Sequence, residues 1–279
     1  MLREGRILRG LEGHFPLAPR CLYLCDDIDI LGAPFLIMDY RRGIVISGKL
    51  PLPHAGRAKT GATLSTMLSE VLSSLHAVDP VAAGLEKLGR PEGFLDRTAK
   101  GWAMRAELAW EGNTPKTVRE IIDWLERNPV HEGRPVLLHN DFKLDNMILD
   151  PDTLAPKALI DWDLGTRGDP LWDLAVLLGY WTEPNDPDAM LNLGQMPTTE
   201  PGFPRRAEMI ERYARQSGRD VRDIRQYRAI AQFRLAVVFR QIFRRFRDSG
   251  EINVKAKKFD VLADNLLDFT LDVMAGWVD

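Results

Sequence analysis

Residues 137–149 read Leu137-Leu138-His139-Asn140-Asp141-Phe142-Lys143-Leu144-Asp145-Asn146-Met147-Ile148-Leu149. Apolar side chains at the two ends of this stretch predict two short β-strands, and the polar residues between them predict a loop. A loop held by strands is rigidly positioned, and catalytic and binding side chains tend to lie on such loops. The stretch therefore predicts a functional loop between two strands.

A second group of carboxylates follows in Ile160-Asp161-Trp162-Asp163, again at the end of a short apolar segment. Asp and Asn oxygens suit Mg²⁺ with its coordinated phosphates, and a lysine adds positive charge. Taken singly, each of these side chains is also typical of a turn cap, but their order between apolar strands favours a site. The sequence thus offers a base, a cation and two metal ligands: Asp141, Lys143, Asn146 and Asp161. Asp163 fits either a second metal-facing group or a structural hydrogen bond.

Outward from this loop, apolar periodicity predicts helices on both sides. The predicted helices span residues 62–77, 94–111, 116–127, 169–182, 204–216, 222–247 and 259–277. The beginning of the chain differs, because a helix at 2–11 precedes two strands, 20–25 and 34–38, that form a hairpin. A segment rich in Gly, Pro and basic residues follows at 41–57, which we interpret as a linker or a mobile loop. The sequence predicts an α+β arrangement in which a small β-containing part precedes a large helical part.

The composition is that of a globular protein, with 279 residues, 45% hydrophobic and 28% charged. A net charge of −3 gives no support for a nucleic-acid or membrane partner. The apolar runs also fall short of the roughly 20 residues of a membrane span. On a strand, Cys21 and Cys25 lie about 13 Å apart, beyond the reach of a disulfide. We therefore expect a reduced, cytoplasmic protein.

The loop motif His139-x-Asp141-x-Lys143-x-x-Asn146 resembles the catalytic loop of kinases, with Asp161 at the place of their metal-binding Asp. With Gly168-Asp169-Pro170-x-x-Asp173-Leu174, the chain resembles the aminoglycoside phosphotransferase family more than protein kinases. Two further segments, 75–80 and 88–94, resemble the branch whose kinase-like domain is fused to acyl-CoA dehydrogenases. The resemblance covers nearly the whole chain.

The resemblance implies a kinase-like, two-lobed α+β fold. Residues 1–41 would be the remnant of a truncated, β-containing N-terminal lobe, and residues 42–279 a mostly helical C-terminal lobe that carries the catalytic loop. The nucleotide would bind in the cleft between the lobes. There, the backbone of the hinge Met38-Asp39-Tyr40 would bind adenine. Glu4 resembles the helix glutamate that pairs with the phosphate-binding lysine of the family.

The resemblance also assigns a role to each residue of the loop. Asp141 matches the catalytic base, and Lys143 lies where many kinases place a lysine near the transferring phosphoryl group. His139, grouped with these catalytic residues, matches the structural histidine of the loop. Asn146 and Asp161 match the Mg²⁺ ligands that bridge the phosphates of ATP. A supporting role falls to Asp173, which would hold the backbone of the loop from a helix.

Two family elements have no counterpart in the sequence as given. These are the glycine-rich hairpin over the phosphates and the strand with the phosphate-binding lysine; the first lysine of the chain is Lys49. Three explanations stay open: a misassigned start or shortened chain, a truncated protein that works with a partner or as a homodimer, and a non-catalytic remnant. In each case the remaining sheet would have an exposed edge and an uncovered face.

The expected function is therefore the ATP- and Mg²⁺-dependent phosphorylation of a hydroxyl group on a small molecule. The resembling branch points to a hydroxy acid or an acyl-CoA ester as the acceptor. The alternative is a catalytically impaired, kinase-like protein with a binding or regulatory role.

A basic segment bears on the choice of acceptor. Residues 204–258 hold 13 arginines and 3 lysines against six acidic residues. One interpretation is a solvated helix face. The other is that arginines near the end of the long helix recognise an anionic acceptor. The arginines concerned are Arg240, Arg244, Arg245 and Arg247.

Overall fold

The computed structural model describes residues 1–130, 132–250 and 254–278, and it has the predicted α+β composition. The chain begins with helix α1 (Leu2–Leu11), whose side chains Ile7, Leu8 and Leu11 are fully or almost fully buried. This spacing of three and four residues places them on one face of the helix. Helix α1 is thereby fixed in the main hydrophobic core.

A β-hairpin follows, as predicted. Strands β1 (Cys21–Cys25) and β2 (Phe35–Met38) pair in antiparallel register. The connection between them is more ordered than a simple turn, because a short helix α2 (Ile28–Leu31) starts at the Asp27 cap. That helix ends at a glycine in the left-handed region. Both cysteines of β1 are free thiols. Apolar side chains on the hairpin and α2 are exposed, as expected for an uncovered face: Leu22, Tyr23, Ile28, Ile30, Leu31 and Ile37.

The predicted linker ties this hairpin region to the centre of the chain. The backbone of Ile44 exchanges two hydrogen bonds with that of Leu149, each of 2.8 Å. Gly43 permits this approach, because a Cβ at that position would collide with the carbonyl oxygen of Leu149. The N–H of Leu159 also donates to the carbonyl of Leu17 at 2.8 Å. Residues 41–57 are thus partly built onto the central strands.

Two small antiparallel sheets hold the central loop. Strand β3 (Val136–Leu138) pairs with β6 (Thr166–Gly168), and β4 (Met147–Leu149) pairs with β5 (Pro156–Leu159). The loop predicted between the first two strands therefore leaves one sheet and enters the other. Strand β6 was not predicted from the sequence.

The remaining helices lie close to the predicted ranges, except for the short α7, which was not predicted. They are α3 (Ala58–His76), α4 (Phe94–Ala109), α5 (Lys116–Arg127), α6 (Leu171–Gly179), α7 (Asp188–Leu191), α8 (Arg206–Ser217), α9 (Ile224–Asp248) and α10 (Val254–Ala275). Every residue of α6 is buried, which places this helix at the centre of the core. In the part of the chain that the structure describes, no helix is long and apolar enough to cross a membrane.

Candidate active site

The backbone of the loop 139–146 is fixed by α6. The buried carboxylate of Asp173 accepts the backbone N–H groups of His139 and Asn140, each at 2.7 Å. Asn140 has a φ of 69°, a left-handed conformation that Asn tolerates better than most residues. Its side-chain oxygen accepts the indole N–H of Trp172 at 2.6 Å. These bonds hold the loop in one conformation, and Asp141 follows directly.

The carboxylate of Asp141 lies at the centre of a polar cluster. One oxygen is 3.2 Å from Nζ of Lys143 and 3.4 Å from the side-chain amide nitrogen of Asn146. The other lies 3.5 Å from both the guanidinium of Arg234 and the hydroxyl of Tyr180. The side chain is 15% exposed. The carboxylate is therefore held among donors while it keeps access to solvent.

Lys143 is charged in this environment. Its Nζ also lies 3.5 Å from the carboxylate of Asp145 and 5.2 Å from the ring centroid of Tyr180. Burial opposes the positive charge, but the effects of Tyr180, Asp141 and Asp145 outweigh burial and raise the pKa of Lys143. The ammonium group is thus available to neutralise negative charge beside Asp141.

Asn146 and Asp161 come together through the backbone. The side-chain amide of Asn146 donates to the backbone carbonyl of Asp141 at 2.8 Å, and the backbone carbonyl of Asn146 accepts the N–H of Ile160 at 2.9 Å. Asp161 follows at once with a φ of 68°. Burial, then the neighbouring carboxylate of Asp163, raises the pKa of Asp161, and Asp141 adds to the effect. Clustered carboxylates of this kind are stabilised by a cation.

The donor set fits Mg²⁺, which prefers carboxylate and amide oxygens and keeps sites for water and phosphate. Asn146 and Asp161, on segments that the backbone hydrogen bond from Ile160 to Asn146 joins, would supply those oxygens. No group of three or more His, Cys, Asp or Glu side chains in residues 1–130, 132–250 and 254–278 is arranged as a metal site.

The structure places the ring of His139 in the core, fully buried and 4.7 Å from the ring centroid of Trp162. Its Nε2 lies 2.9 Å from the carbonyl oxygen of Ile160. Burial lowers the pKa of His139, so the ring is neutral and donates this hydrogen bond. His139 thus joins the loop to the segment that carries Asp161, which makes it a positioning residue without access to substrate.

Glu4 lies close to the same segment. It is 5% exposed, and burial raises its pKa against the opposing backbone N–H of Trp162. The carboxylates of Asp161 and Asp163 raise the pKa further. The neighbouring Arg3 donates to the carbonyl of Gly165 at 3.0 and 2.6 Å. Helix α1 is therefore joined directly to the predicted metal segment.

The predicted hinge follows β2. Met38 pairs with Cys21 at the end of the hairpin. The N–H of Asp39 donates to the carbonyl of Arg20 at 3.0 Å, so that group is already bonded within the sheet. Tyr40 is 87% exposed. The nucleotide contacts of these three residues stay a prediction.

Sequence reasoning missed two residues of the cluster, Arg234 and Tyr180. Both lie far from the loop in sequence, on α9 and just after α6, and no local motif marks them.

The arginines at the basic end of α9 do not contact the Asp141 cluster. Arg240 pairs with Asp260, and the exposed side chain of Arg245 has no hydrogen bond or ion pair among the described residues. Arg244 and Arg247 pair with Glu111 at the end of α4. None of these four arginines contacts the Asp141 cluster, and their recognition of an acceptor stays a prediction.

Residues 1–230 match the sequence profile of the phosphotransferase enzyme family. The chain belongs to this family. Among curated relatives, the acyl-CoA dehydrogenase family member 10 of Mus musculus is 27% identical over 271 residues, which are 97% of this chain and 25% of the relative. The chain thus spans about a quarter of the length of that relative. These matches confirm the predicted family and its branch.

Solved structures of other proteins have the same fold. A Ralstonia eutropha protein classed as an aminoglycoside phosphotransferase superposes with a TM-score of 0.84 at 24% identity, covering 98% of this chain and 83% of that one. An ethanolamine kinase of Plasmodium vivax gives 0.58 at 13% identity, covering 99% and 74%. The predicted kinase-like α+β fold is confirmed, and family and fold together support a small-molecule phosphotransferase.

Proposed function

We propose that this family member transfers the γ-phosphoryl group of ATP, with Mg²⁺, to a hydroxyl group of a small molecule. The observation that carries the proposal is the cluster at Asp141. Its carboxylate is partly exposed, 3.2 Å from Lys143 and in contact with Asn146, directly beside the segment that carries Asp161. A base, a cation and two candidate metal ligands, gathered on one loop and the segment beside it, are the set that phosphoryl transfer requires.

In the proposed step, the acceptor oxygen forms a bond to the γ-phosphorus. The bond between that phosphorus and the β–γ bridging oxygen breaks, and ADP leaves. Asp141 accepts the proton of the hydroxyl group. Lys143, held over Tyr180, stabilises the charge on the transferring group. The chain thus contributes mainly by orientation and charge neutralisation.

Mg²⁺ would be held by Asn146 and Asp161, where it would neutralise the phosphates of the nucleotide. On the nucleotide side, we assign adenine to the backbone of Met38, Asp39 and Tyr40. Glu4, beside the metal segment, belongs to the same side. This assignment places the nucleotide where a smaller part, residues 1–41, meets the larger part, residues 42–279.

The experiment is calorimetric titration with ATP, with and without Mg²⁺, followed by turnover on a panel of hydroxylated acceptors. We expect Mg²⁺-dependent binding that Asp161→Ala abolishes. Asp141→Asn should bind ATP and lose about 100-fold or more in turnover, since general-base catalysis contributes about that much. Asp152→Asn, in an exposed turn, is the matched control and should behave as the unaltered protein.

Full turnover in Asp141→Asn would disprove the assignment of the base. Mg·ATP binding without turnover on any acceptor would favour the alternative, a kinase-like protein with a binding or regulatory role. Repeating the titration with GTP identifies the nucleotide.

A further inference from the structure

A cavity of about 430 Å³ opens beside the loop 139–146. Asn140 and Arg234, which surround the base, form part of its wall. All charged side chains that line the cavity are arginines, and no Asp or Glu within the described ranges lines it. The five arginines are Arg3, Arg90, Arg97, Arg105 and Arg234. The chain as a whole has a net charge of −3, so the positive charge of this cavity does not follow from the composition of the protein.

Most of these arginines are held by neutral partners. Arg3 donates to the carbonyl of Gly165 at 3.0 and 2.6 Å, and Arg105 donates to that of Gly101 at 3.0 Å. Arg97 donates to two further backbone carbonyls. A carbonyl orients a guanidinium without cancelling its charge. Among the ion pairs of the described residues, only Arg234 of the five has a carboxylate partner.

An aromatic side chain organises the cavity further. The guanidinium of Arg105 lies 4.9 Å from the ring centroid of Trp102, and that of Arg234 lies 5.9 Å from it. Such stacking fixes the planes of the two guanidinium groups and leaves their edges to donate hydrogen bonds. Arg234 also donates to the carbonyl of Asn140 at 3.2 Å and contacts Asp141. The cavity is therefore continuous with the surroundings of the base.

We propose that this cavity binds the acceptor, and that the acceptor carries a carboxylate or phosphate group in addition to the hydroxyl group that is phosphorylated. The anion would be bound by the arginine edges around Trp102, with the hydroxyl directed toward Asp141. Fixed guanidinium groups match the oxygens of carboxylates and phosphates. A cationic acceptor would be repelled by the same groups. This inference rests on the proposed function and adds the chemical class of its substrate.

The test compares four matched probes in calorimetric titrations of the full chain: a straight-chain hydroxycarboxylic acid, the corresponding hydroxyalkyl phosphate, the hydroxyamide and the amino alcohol. We expect the anionic probes to bind at least about tenfold more tightly than the amide, as a charge-assisted hydrogen bond allows. Added salt should weaken them selectively. The amino alcohol should bind most weakly. Whichever of the two anionic probes binds more tightly shows whether the acceptor carries a carboxylate or a phosphate.

Arg105→Gln removes one cavity charge without touching the loop 139–146. We expect it to weaken the anionic probes about tenfold and to leave the amide unchanged. Arg119→Gln is the matched control, because Arg119 is an exposed helix arginine that also donates to a backbone carbonyl, that of Thr114. Arg119→Gln should change neither the binding of the anionic probes nor that of the amide. The Arg97→Gln, Arg105→Gln double variant should weaken the anions further. A thermal melt confirms that each variant folds.

Equal binding of anion and amide, tighter binding of the amino alcohol, or equal losses in Arg105→Gln and Arg119→Gln would each overturn the inference. The ATP titration separates the two proposals. Selective anion binding in a chain that does not bind Mg·ATP would support the cavity assignment and contradict the proposed function. Turnover that does not depend on the charge of the acceptor would support the proposed function and contradict the cavity assignment.

Discussion

The carboxylate of Asp173 accepts the backbone N–H of Asn140 at 2.7 Å, at a residue whose φ is 69°. A non-glycine residue in the left-handed region costs about 1–2 kcal/mol, and such conformations persist where surrounding contacts enforce them. Asp173 supplies that enforcement from the first turn of α6, and its second oxygen accepts the N–H of His139. The direction in which Asp141 leaves the loop is therefore set by a buried carboxylate on another element.

Asp173→Asn tests this relationship. An amide keeps one acceptor oxygen and presents a donor to the other N–H, so a buried backbone group loses its partner. We expect the free energy of unfolding to fall by about 1.5–3 kcal/mol. Turnover should fall as well, because Asp141 is no longer held in place. Urea unfolding and a turnover assay measure the two effects, with Asp152→Asn as the control. Unchanged stability would show that the loop keeps its conformation without this carboxylate.

The parts of the site that are local in sequence could be predicted. Residues 139–146 and 161 lie at the ends of short apolar strands, and the pattern of apolar and polar residues indicates both the strands and the loops. Helices α3 and α9 were likewise predicted from their periodicity. Strand β6 was missed because its three residues, Thr166–Gly168, carry no alternation, and it forms only by pairing with β3.

The arginine cavity could not be predicted for a related reason. Its arginines come from α1, the loop before α4, α4 itself and α9, and only the fold brings them together. A count along the chain detects local density, so it selected the basic end of α9. There Arg244 and Arg247 pair with Glu111 and Asp248. Three of the four arginines that are dense in sequence thus have carboxylate partners, whereas arginines that are dispersed in sequence converge in the cavity.

Lys143→Ala is expected to reduce turnover about 100-fold, the usual loss when one group that stabilises transition-state charge is removed. ATP affinity should change much less, because Lys143 is held beside Asp141 by that carboxylate and Tyr180. Lys157→Ala is the matched control. Lys157 also pairs with a carboxylate, that of Asp150 at 2.8 Å, away from the site. Equal turnover in the two variants would remove Lys143 from the mechanism.

The neutral ring of His139 makes stability depend on pH. Burial lowers its pKa in the folded protein, against the opposing effects of Asp173, the carbonyl of Ile160 and more distant carboxylates. In the unfolded chain the ring has an ordinary pKa of about 6.5. The unfolded state therefore binds the extra proton as the pH falls below about 6.5, and the free energy of unfolding decreases there. Above that pH the ring is neutral in both states and contributes no slope.

His139→Gln removes this titration. We expect the decrease in the free energy of unfolding between about pH 6.5 and pH 5 to become shallower, by at most about 1.4 kcal/mol per pH unit for one proton. Urea unfolding of both proteins across this range measures the slopes. His14→Gln, which replaces an exposed histidine, is the control and should keep the slope of the unaltered protein. A shallower slope in the control would contradict the assignment. So would a slope in His139→Gln that equals that of the unaltered protein.

A buried ion pair lies next to Tyr180. The guanidinium of Arg206 is 2% exposed and makes two 2.6 Å bonds to Asp186 and one of 2.8 Å to the carbonyl of Trp181. Tyr180, one residue earlier, contacts both Lys143 and the carboxylate of Asp141. The ion pair thus fixes the backbone directly after the residue that forms part of the catalytic cluster.

Asp186→Ala should therefore lower both stability and turnover. Removing one partner of a buried pair leaves a charge with poor compensation, which costs about 3–5 kcal/mol. We expect a loss near the lower end of this range, because the carboxylate of Glu183 lies 3.5 Å from Arg206 and still compensates part of its charge. Asp96→Ala breaks an exposed pair with Lys100 and should cost at most about 1 kcal/mol. Similar losses in the two variants would mean that the buried pair contributes no more than a surface one. Full turnover in Asp186→Ala would separate the pair from the positioning of Tyr180.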